Sequence, residues 1–436
     1  YEITTRLVGS EMCIRDSPFN EQLYAQFWPI STETGAPGVF LNQCSGAKMA
    51  PTALLTHVKQ PMLKRRSREI ASEGVIKAQE WIGGQDKPVV ESKILAFQNA
   101  LNTCTSRQEL DSVLAENIRP CSFRPFVNSN ALLWGTIFDY QAGIGGGGAR
   151  VRPEIKAVYD LPDTVGFSLA HAPKDLDESL GQFTSFCWYF PDNDLSRRGN
   201  GHIYLNHYIR DVHTNAVINN IHQSLIERYS ALTGLDDSEC AKKMVFYSYA
   251  VFCSQVYLEE FYGALFVVNQ SESRARIPIV DDAGLFLRLA ELGERLAILE
   301  KNDAAVDNVL DFNYDELLAQ MWTGFHLEHS RSASRSPYDE ENEQLIVRDE
   351  VTGNSIRIYC PVSLQKFTIA GYNVIKDCWL KFHSYRFTHC DFTRDDLKEL
   401  LDLFNKIASQ MGIVSEIDEI MHSIVGGEVA LLNYND

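Results

Sequence analysis

Apolar residues recur at helical spacing in four segments of the middle and the end of the chain. Residues 215–232 carry one apolar stripe, and residues 244–265 are apolar or aromatic on most sides, which is typical of a buried helix or helix pair. A third stripe over residues 285–299 follows Asp281, whose side chain is a suitable N-cap. The last stripe starts after Thr393. We therefore predict a largely helical second half.

The last predicted helix has a recognisable start. Thr393 and Asp396 resemble a capping box, in which two side chains satisfy backbone N–H groups, with Asp in place of the usual Glu or Gln. Gly412 lies inside the same apolar pattern. Because glycine weakens a helix, we expect Gly412 to divide the pattern into two helices.

Short alternation of apolar residues predicts strands elsewhere. Residues 121–140 and 156–170 are rich in Phe, Val, Tyr and Trp, and a glycine run at 143–148 between them predicts a flexible turn. Two more strands are expected at 345–347 and 356–359, separated by a turn at Gly353 and preceded by an exposed loop over residues 328–343. The predicted fold class is therefore α/β (α+β): a mixed region with strands, followed by a helical C-terminal section.

The start of the chain differs from the rest. The string from Leu7 to Asp16 is similar to translated sequencing-adaptor sequence, so we expect residues 1–17 to be an artefact. Residues 18–100 mix Gly/Pro turns with the basic run Lys64-Arg65-Arg66-Ser67-Arg68, and apolar residues after this run predict helices.

The net charge of −18 argues against simple nucleic-acid binding, but the charge is unevenly distributed. Residues 1–152 sum to +2, so all of the acidic excess lies after them. Basic side chains outnumber acidic ones in three segments, 48–87, 119–152 and 353–390. This pattern is either ordinary surface variation or a mosaic, in which basic strips face phosphate and acidic faces turn away.

Composition indicates a cytoplasmic protein. No apolar run reaches the roughly 18 residues of a membrane span. The ten cysteines are scattered and form no C-x-x-C pair, which favours buried, reduced thiols over disulfides. We therefore expect no membrane partner.

Catalytic motifs are missing from the sequence. There is no G-x-x-x-x-G-K-[ST] nucleotide-phosphate loop, and no Pro-Pro dipeptide from which an adenine-methyltransferase motif could be built. His202, His207 and His213 cluster near Asp211, but no further ligand completes a recognised zinc spacing. We predict no catalytic residue and no metal site.

Four segments of the chain form an ordered set of motifs over about residues 110–425. They are Arg124-Pro125-Phe126, Tyr249-Ala250-Val251-Phe252-Cys253-Ser254-Gln255-Val256-Tyr257, Arg276-Ile277-Pro278 and Ile369-Ala370-Gly371-Tyr372-Asn373-Val374-Ile375-Lys376-Asp377-Cys378-Trp379-Leu380-Lys381. In this order they resemble the C-terminal specificity region of Type ISP restriction–modification enzymes. Departures from the family's pattern include Val127 where Asp is expected and Cys253 where His is expected.

The resemblance implies a non-catalytic recognition fragment of a larger enzyme. The parent would contain a nuclease, an ATP-dependent motor and an adenine-N6 methyltransferase, and would use S-adenosylmethionine, ATP and Mg²⁺, while the fragment itself needs no cofactor. The expected partners are double-stranded DNA and the parent's methyltransferase domain. Residues 18–110 would form a linker or the start of the recognition region, and residues 111–436 the specificity domain.

Basic side chains supply the candidate DNA contacts, since phosphate contacts give affinity and base contacts give specificity. The phosphate candidates are Lys64, Arg65, Arg66, Arg68, Lys376 and Lys381. The base-reading candidates are Arg124, Arg150 and Arg152, the last two beside the glycine run. Structural roles are expected for Arg276, which would pair with a carboxylate to fix the Pro278 turn, and for Trp379 in the core.

Two other functions stay open from the sequence. One is a structural or protein-interaction module that never binds DNA, which the net charge of −20 over residues 153–436 favours. The other is an unrecognised hydrolase that uses the histidines at 202–213.

Overall fold

The structure, a computed structural model, describes residues 20–434 apart from 33–36, 44–45, 47–48, 50–51, 83–90, 135–157, 160, 162, 171–181, 193, 196–201, 212–213, 266–274, 302–304, 307 and 330–335. The glycine run at 143–148 and much of the two strand regions predicted around it lie outside the described residues.

Helices and short strands alternate along the chain. The helices are α1 (Glu21–Tyr24), α2 (Thr52–Leu55), α3 (Gln60–Glu73), α4 (Val75–Ile82), α5 (Glu91–Leu101), α6 (Arg107–Asn117), α7 (Gln223–Thr233), α8 (Asp237–Cys253), α9 (Gln255–Leu265), α10 (Ala283–Leu299), α11 (Tyr314–Ala319), α12 (Val362–Gln365), a π-helix (Val374–Leu380), α13 (Lys381–His383), α14 (Tyr385–Thr388) and α15 (Arg394–Val425).

The strands build several small sheets, which with the helical C-terminal section confirms the predicted α+β class. They are β1 (Trp28–Pro29), β2 (Thr56–His57), β3 (Ile118–Arg124), β4 (Val127–Leu132), β5 (Gly166–Ala170), β6 (Thr184–Cys187), β7 (Phe190–Pro191), β8 (His202–Asn206), β9 (Tyr208–Arg210), β10 (Val217–Asn219), β11 (Arg276–Ile277), β12 (Tyr338–Asp339), β13 (Gln344–Arg348), β14 (Ser355–Tyr359), β15 (Thr368–Ile369) and β16 (Tyr372–Asn373).

A four-stranded sheet with the order β2-β4-β3-β7 supports the first basic helix, since α3 packs on β2 and β4. Strands β3 and β4 form an antiparallel hairpin whose register shifts between Ser122 and Arg124. Phe126 has a φ of 60° in the turn of this hairpin. Strand β7 pairs with β3 in parallel and brings the residues after position 190 beside the hairpin.

The densest core lies where α8, α10 and α15 pack together beside the sheet β6-β5-β8. Every residue of α8 from Met244 to Cys253 is buried, as the sequence predicts for this segment. A Cβ atom on Gly293 of α10 would collide with the carbonyl oxygen of Phe246 on α8. Glycine therefore permits the close approach of these two helices.

The C-terminal section follows the sequence prediction with one exception. Strands β13 and β14 form the expected hairpin, with Gly353 at a φ of 73° in its turn. The capping box of Thr393 and Asp396 is present at the start of α15. The expected break at Gly412 is wrong, because α15 continues through it while its buried face stays packed on α9 and α10.

Two other expectations need correction. Val217 and Ile218 lie in strand β10, paired with β9, and the helix predicted over 215–232 begins only at Gln223. Valine and isoleucine occur in helices as well as in strands, and the pairing with β9 makes this segment a strand. The N-cap of α10 is Asp282, whose side chain accepts the N–H of Leu285, rather than Asp281.

Within the described part of the chain, no helix combines the length and the apolar character that a membrane span needs.

Candidate nucleic-acid interface

The first basic run forms part of helix α3 rather than preceding a helix. Lys64 is half-buried on this helix, and Arg65 has 62% of its side chain exposed. Arg65 pairs with Glu69 at 2.7 Å, and Arg68 pairs with Asp111 at 2.5 Å. Part of the positive charge of the run is therefore already neutralised within the protein.

Arg66 points into the protein and is 1% exposed. Its guanidinium donates to the carbonyl oxygens of Thr56 at 2.7 Å and Leu54 at 3.2 Å. Burial lowers the pKa of Arg66 to about 9. The expectation that Arg66 contacts phosphate is corrected, because this side chain fixes the end of α2 and the start of β2.

Strand β2 joins helix α3 to the segment that follows the π-helix. The Nε2 atom of His57 lies 3.2 Å from the carbonyl oxygen of Thr388, and Lys59 pairs with Asp396 at 3.0 Å. Burial, with the charge of nearby Arg66, lowers the pKa of His57 to about 3, so its ring is neutral at pH 7. A neutral ring can donate from Nε2 to the carbonyl while Nδ1 accepts the N–H of Lys59.

The second basic segment lies in and just after the π-helix. Hydrogen bonds in a π-helix join residues five apart, which favours Lys376 and Lys381 lying on the same side, whereas an α-helix would spread them. Both lysines are half-buried, and the Nζ of Lys381 lies 5.2 Å from the ring of Phe382 and 5.6 Å from that of Phe387.

Two of the three basic segments therefore adjoin each other across β2. We call this region, formed by Lys59, Lys64, Arg65, Lys376 and Lys381, the basic junction. The predicted base readers Arg150 and Arg152 lie outside the described residues.

Arg124 is buried, 8% exposed, and is not available to a base. Its guanidinium lies 3.6 Å from Asp192 and 3.7 Å from Asp194, and donates to the carbonyl of Phe123. Burial alone would lower the pKa of Arg124, but Tyr372 and the two aspartates raise it. The base-reading expectation is corrected, because Arg124 joins strand β3 to the chain after β7.

The three residues with predicted structural roles all have internal contacts. Arg276 donates to the carbonyl of Phe27 at 2.9 Å, a backbone partner in place of the expected carboxylate. Pro278 accepts a hydrogen bond from the hydroxyl of Tyr247 at 2.7 Å. Trp379 is 1% exposed and lies in the core.

A chain of side chains in contact lies beside the basic junction, and the sequence analysis missed it. The guanidinium carbon of Arg65 lies 5.9 Å from the Trp81 ring, and Trp81 lies 4.9 Å from His389. The chain continues to Tyr385 at 6.0 Å and to His326 at 3.8 Å. We call these five side chains the aromatic chain. Its members are far apart in sequence, so no spacing rule reveals it.

Of the three histidines at 202–213, only His207 has a described side chain. His207 is 1% exposed, and its Nδ1 lies 3.1 Å from the carbonyl oxygen of Val165. Burial lowers the pKa of His207 to about 4. The side chain of His202 and all of His213 lie outside the described residues, and no metal-binding group of three ligands occurs in the part that the structure describes.

The fold of this chain is similar to folds found among solved structures. A comparison with curated sequences gave no significant match. Among solved structures, the fold is similar to that of the ATP-dependent Type ISP restriction-modification enzyme LlaBIII bound to DNA, at 16% identity and a TM-score of 0.52, over 93% of this chain and 24% of that chain. It is also similar to the DrdV–DNA complex, at 15% identity and a TM-score of 0.51, over 94% of this chain and 39% of that chain.

A family model also matches most of the sequence. The Type ISP C-terminal specificity domain matches residues 39–408, a range that contains β2, helix α3, the π-helix and the start of helix α15. The chain covers well under two thirds of the length of either structural relative. This chain belongs to the Type ISP C-terminal specificity domain family.

Proposed function

We propose that this chain recognises a target sequence in duplex DNA, as the specificity region of a Type ISP restriction–modification enzyme. The observation that carries the proposal is the family match over residues 39–408, which includes the whole basic junction. The relatives LlaBIII and DrdV are both described in complex with DNA, which supports the same ligand for this chain.

The basic junction supplies the phosphate contacts in this proposal. Lys64, Lys376 and Lys381 come from two segments that contacts of His57 and Lys59 hold together, and we propose that they follow one stretch of DNA backbone. Phosphate contacts position a protein on the duplex but carry little sequence information. Base reading therefore needs other side chains, and with Arg124 buried we retain Arg150 and Arg152 as its candidates.

We further infer that the specificity region acts beside an adenine-N6 methyltransferase domain of the same enzyme. S-adenosylmethionine, ATP and Mg²⁺ would then be used by other domains. The Type ISP family match and the small share of the LlaBIII chain that is covered support this arrangement. The eight described cysteines are free thiols, which supports a cytoplasmic location.

Selection from a random duplex library tests recognition directly. The chain, or the chain joined to its methyltransferase domain, is incubated with the library, and the bound DNA is sequenced. Enrichment of one short sequence is expected. A bound pool as random as the input at every salt concentration would favour the rival protein-interaction module.

A further inference from the structure

The aromatic chain joins parts of the molecule that are distant in sequence. Arg65 comes from α3, Trp81 from α4, and Tyr385 and His389 from α14 and the residue after it. His326 comes from the segment after α11, and its ring stacks on Tyr385 with an angle of 18° between the two planes. The result is a track of one cation and four rings, in which His326 and Tyr385 are stacked, Trp81 meets His389 edge to face, and His389 is tilted against Tyr385.

Part of this track is open to solvent. Arg65 is 62% exposed and His326 is 24% exposed, while Tyr385 and His389 are half-buried. Trp81 is almost fully buried and supports the middle of the track from below. Burial lowers the pKa of His389, so this ring is neutral at pH 7 and acts as an aromatic surface rather than a cation.

Acidic partners at both ends weaken the attraction of the track for phosphate. Glu69 pairs with Arg65, and Asp391 lies 3.2 Å from His326. A cation that is already paired with a carboxylate contributes less to phosphate binding. Flat rings beside a cation are instead suited to stacking with bases.

We propose that the aromatic chain binds an unpaired DNA strand, with bases stacking on Tyr385 and His326. Bases inside a duplex stack on one another, so these rings discriminate in favour of a strand that has been opened. The inference rests on the proposed function for its ligand, because DNA held at the basic junction would bring such a strand close to Trp81 and His389.

The test compares two fluorescent probes of one mixed sequence, a single strand of about 20 nucleotides and the matching duplex, each long enough to span such a site. Binding of each probe to the 436-residue chain is measured by fluorescence anisotropy. The variants are Tyr385→Leu, which removes the ring, Tyr385→Phe, which keeps it, and Lys64→Ala, which reduces the charge of the basic junction.

Tyr385→Leu should weaken single-strand binding about tenfold and change duplex binding less than twofold. Tyr385→Phe should bind the single strand as the unchanged chain does. Lys64→Ala should weaken duplex binding. Unchanged single-strand binding by Tyr385→Leu would overturn the inference while leaving duplex recognition intact. A drop in melting temperature with equal loss of both probes would also overturn it, since the aromatic chain would then be only a packing contact. Single-strand binding without any duplex binding would refute the proposed function alone.

Discussion

At the residue scale, two buried ionisable groups connect parts of the fold. Asp192 is 2% exposed and faces Arg124. Burial raises the pKa of Asp192 to about 7, although the arginine lowers it, so desolvation is the larger effect. The pair holds strand β3 against the chain after β7, and each member depends on the other.

Replacing Arg124 by methionine leaves Asp192 buried without its cation. The free energy of unfolding should fall by roughly 3–5 kcal/mol near pH 8. The loss should be smaller near pH 5.5, because Asp192 is then protonated and uncharged. Arg119→Met, which changes an exposed arginine of the same strand, is the matched control for denaturant unfolding at both pH values. Equal losses in the two variants would contradict a buried ion pair.

Glu300, at the end of α10, is the second such group. Its carboxylate accepts from the hydroxyl of Ser185 at 2.7 Å, the N–H of Phe186 at 3.0 Å and the hydroxyl of Tyr249. Burial raises its pKa to about 7, although these donors lower it. Since the unfolded state releases this proton at lower pH, the stabilisation is complete below the unfolded pKa and is lost as pH rises through about 7.

Glu300→Gln keeps a neutral acceptor for these donors and removes the titration. Stability of the variant should therefore fall less steeply than that of the unchanged chain between about pH 5.5 and pH 8. Thermal unfolding across this range measures the effect, with the exposed Glu291→Gln as control. Parallel pH profiles for the unchanged chain and Glu300→Gln would show that Glu300 does not titrate with folding.

The sequence alone identifies which residues are charged but not whether a charged side chain faces solvent or the protein interior. Lys64, Arg65 and Arg66 are adjacent, yet one is exposed, one half-buried and one completely buried. Tertiary packing of α3 on β2 and β4 decides between these positions, and no local pattern encodes it. The role predicted for Arg66 failed for this reason. The role predicted for Arg124 failed because this side chain is buried against Asp192 and Asp194. The basic junction was partly visible as an excess of charge.

At the element scale, two helical glycines have opposite roles. Gly293 lies at the crossing of α10 with α8, where an added Cβ would meet the backbone of Phe246. Gly412 lies in α15 with nothing within 4 Å of such an atom. The difference is invisible in sequence, because both glycines sit inside apolar helical patterns.

Alanine substitution should separate the two glycines. Gly293→Ala is expected to lower the free energy of unfolding by about 1–3 kcal/mol through overpacking. Gly412→Ala should raise it by about 0.5–1 kcal/mol, because alanine suits a helix interior better than glycine. The melting temperatures of both variants show whether each substitution raises or lowers stability. Equal shifts would contradict the packing of α10 on α8.

Elements whose local sequence signals agree with their tertiary contacts were the most predictable. The capping box of α15, the buried helix α8 and the β13–β14 hairpin follow from local pattern, because their sequence signals agree with their tertiary contacts. Strand β10 was misassigned because its pairing with β9 is a contact that periodicity does not encode.

At the scale of the whole molecule, an acidic protein carries local basic surface. The net charge of −18 would oppose DNA if it were spread evenly. Contacts of His57 with Thr388 and of Lys59 with Asp396 instead bring two basic segments together, although ion pairs with Glu69 and Asp396 offset part of their charge. Lys64, Lys376 and Lys381 are the lysines that the proposal assigns to phosphate, so they are the most informative targets.

The central claim is that the basic junction carries duplex binding, and the salt dependence of affinity tests it most directly. Binding of a duplex is measured between about 50 and 200 mM salt for the unchanged chain, for Lys64→Ala/Lys376→Ala/Lys381→Ala, and for Lys242→Ala on α8 as control. Each lost phosphate contact should reduce the slope of log affinity against log salt by about 0.9, so the triple variant should lose up to about 3. A slope that stays the same in the triple variant, or that falls equally in the control, would contradict the account.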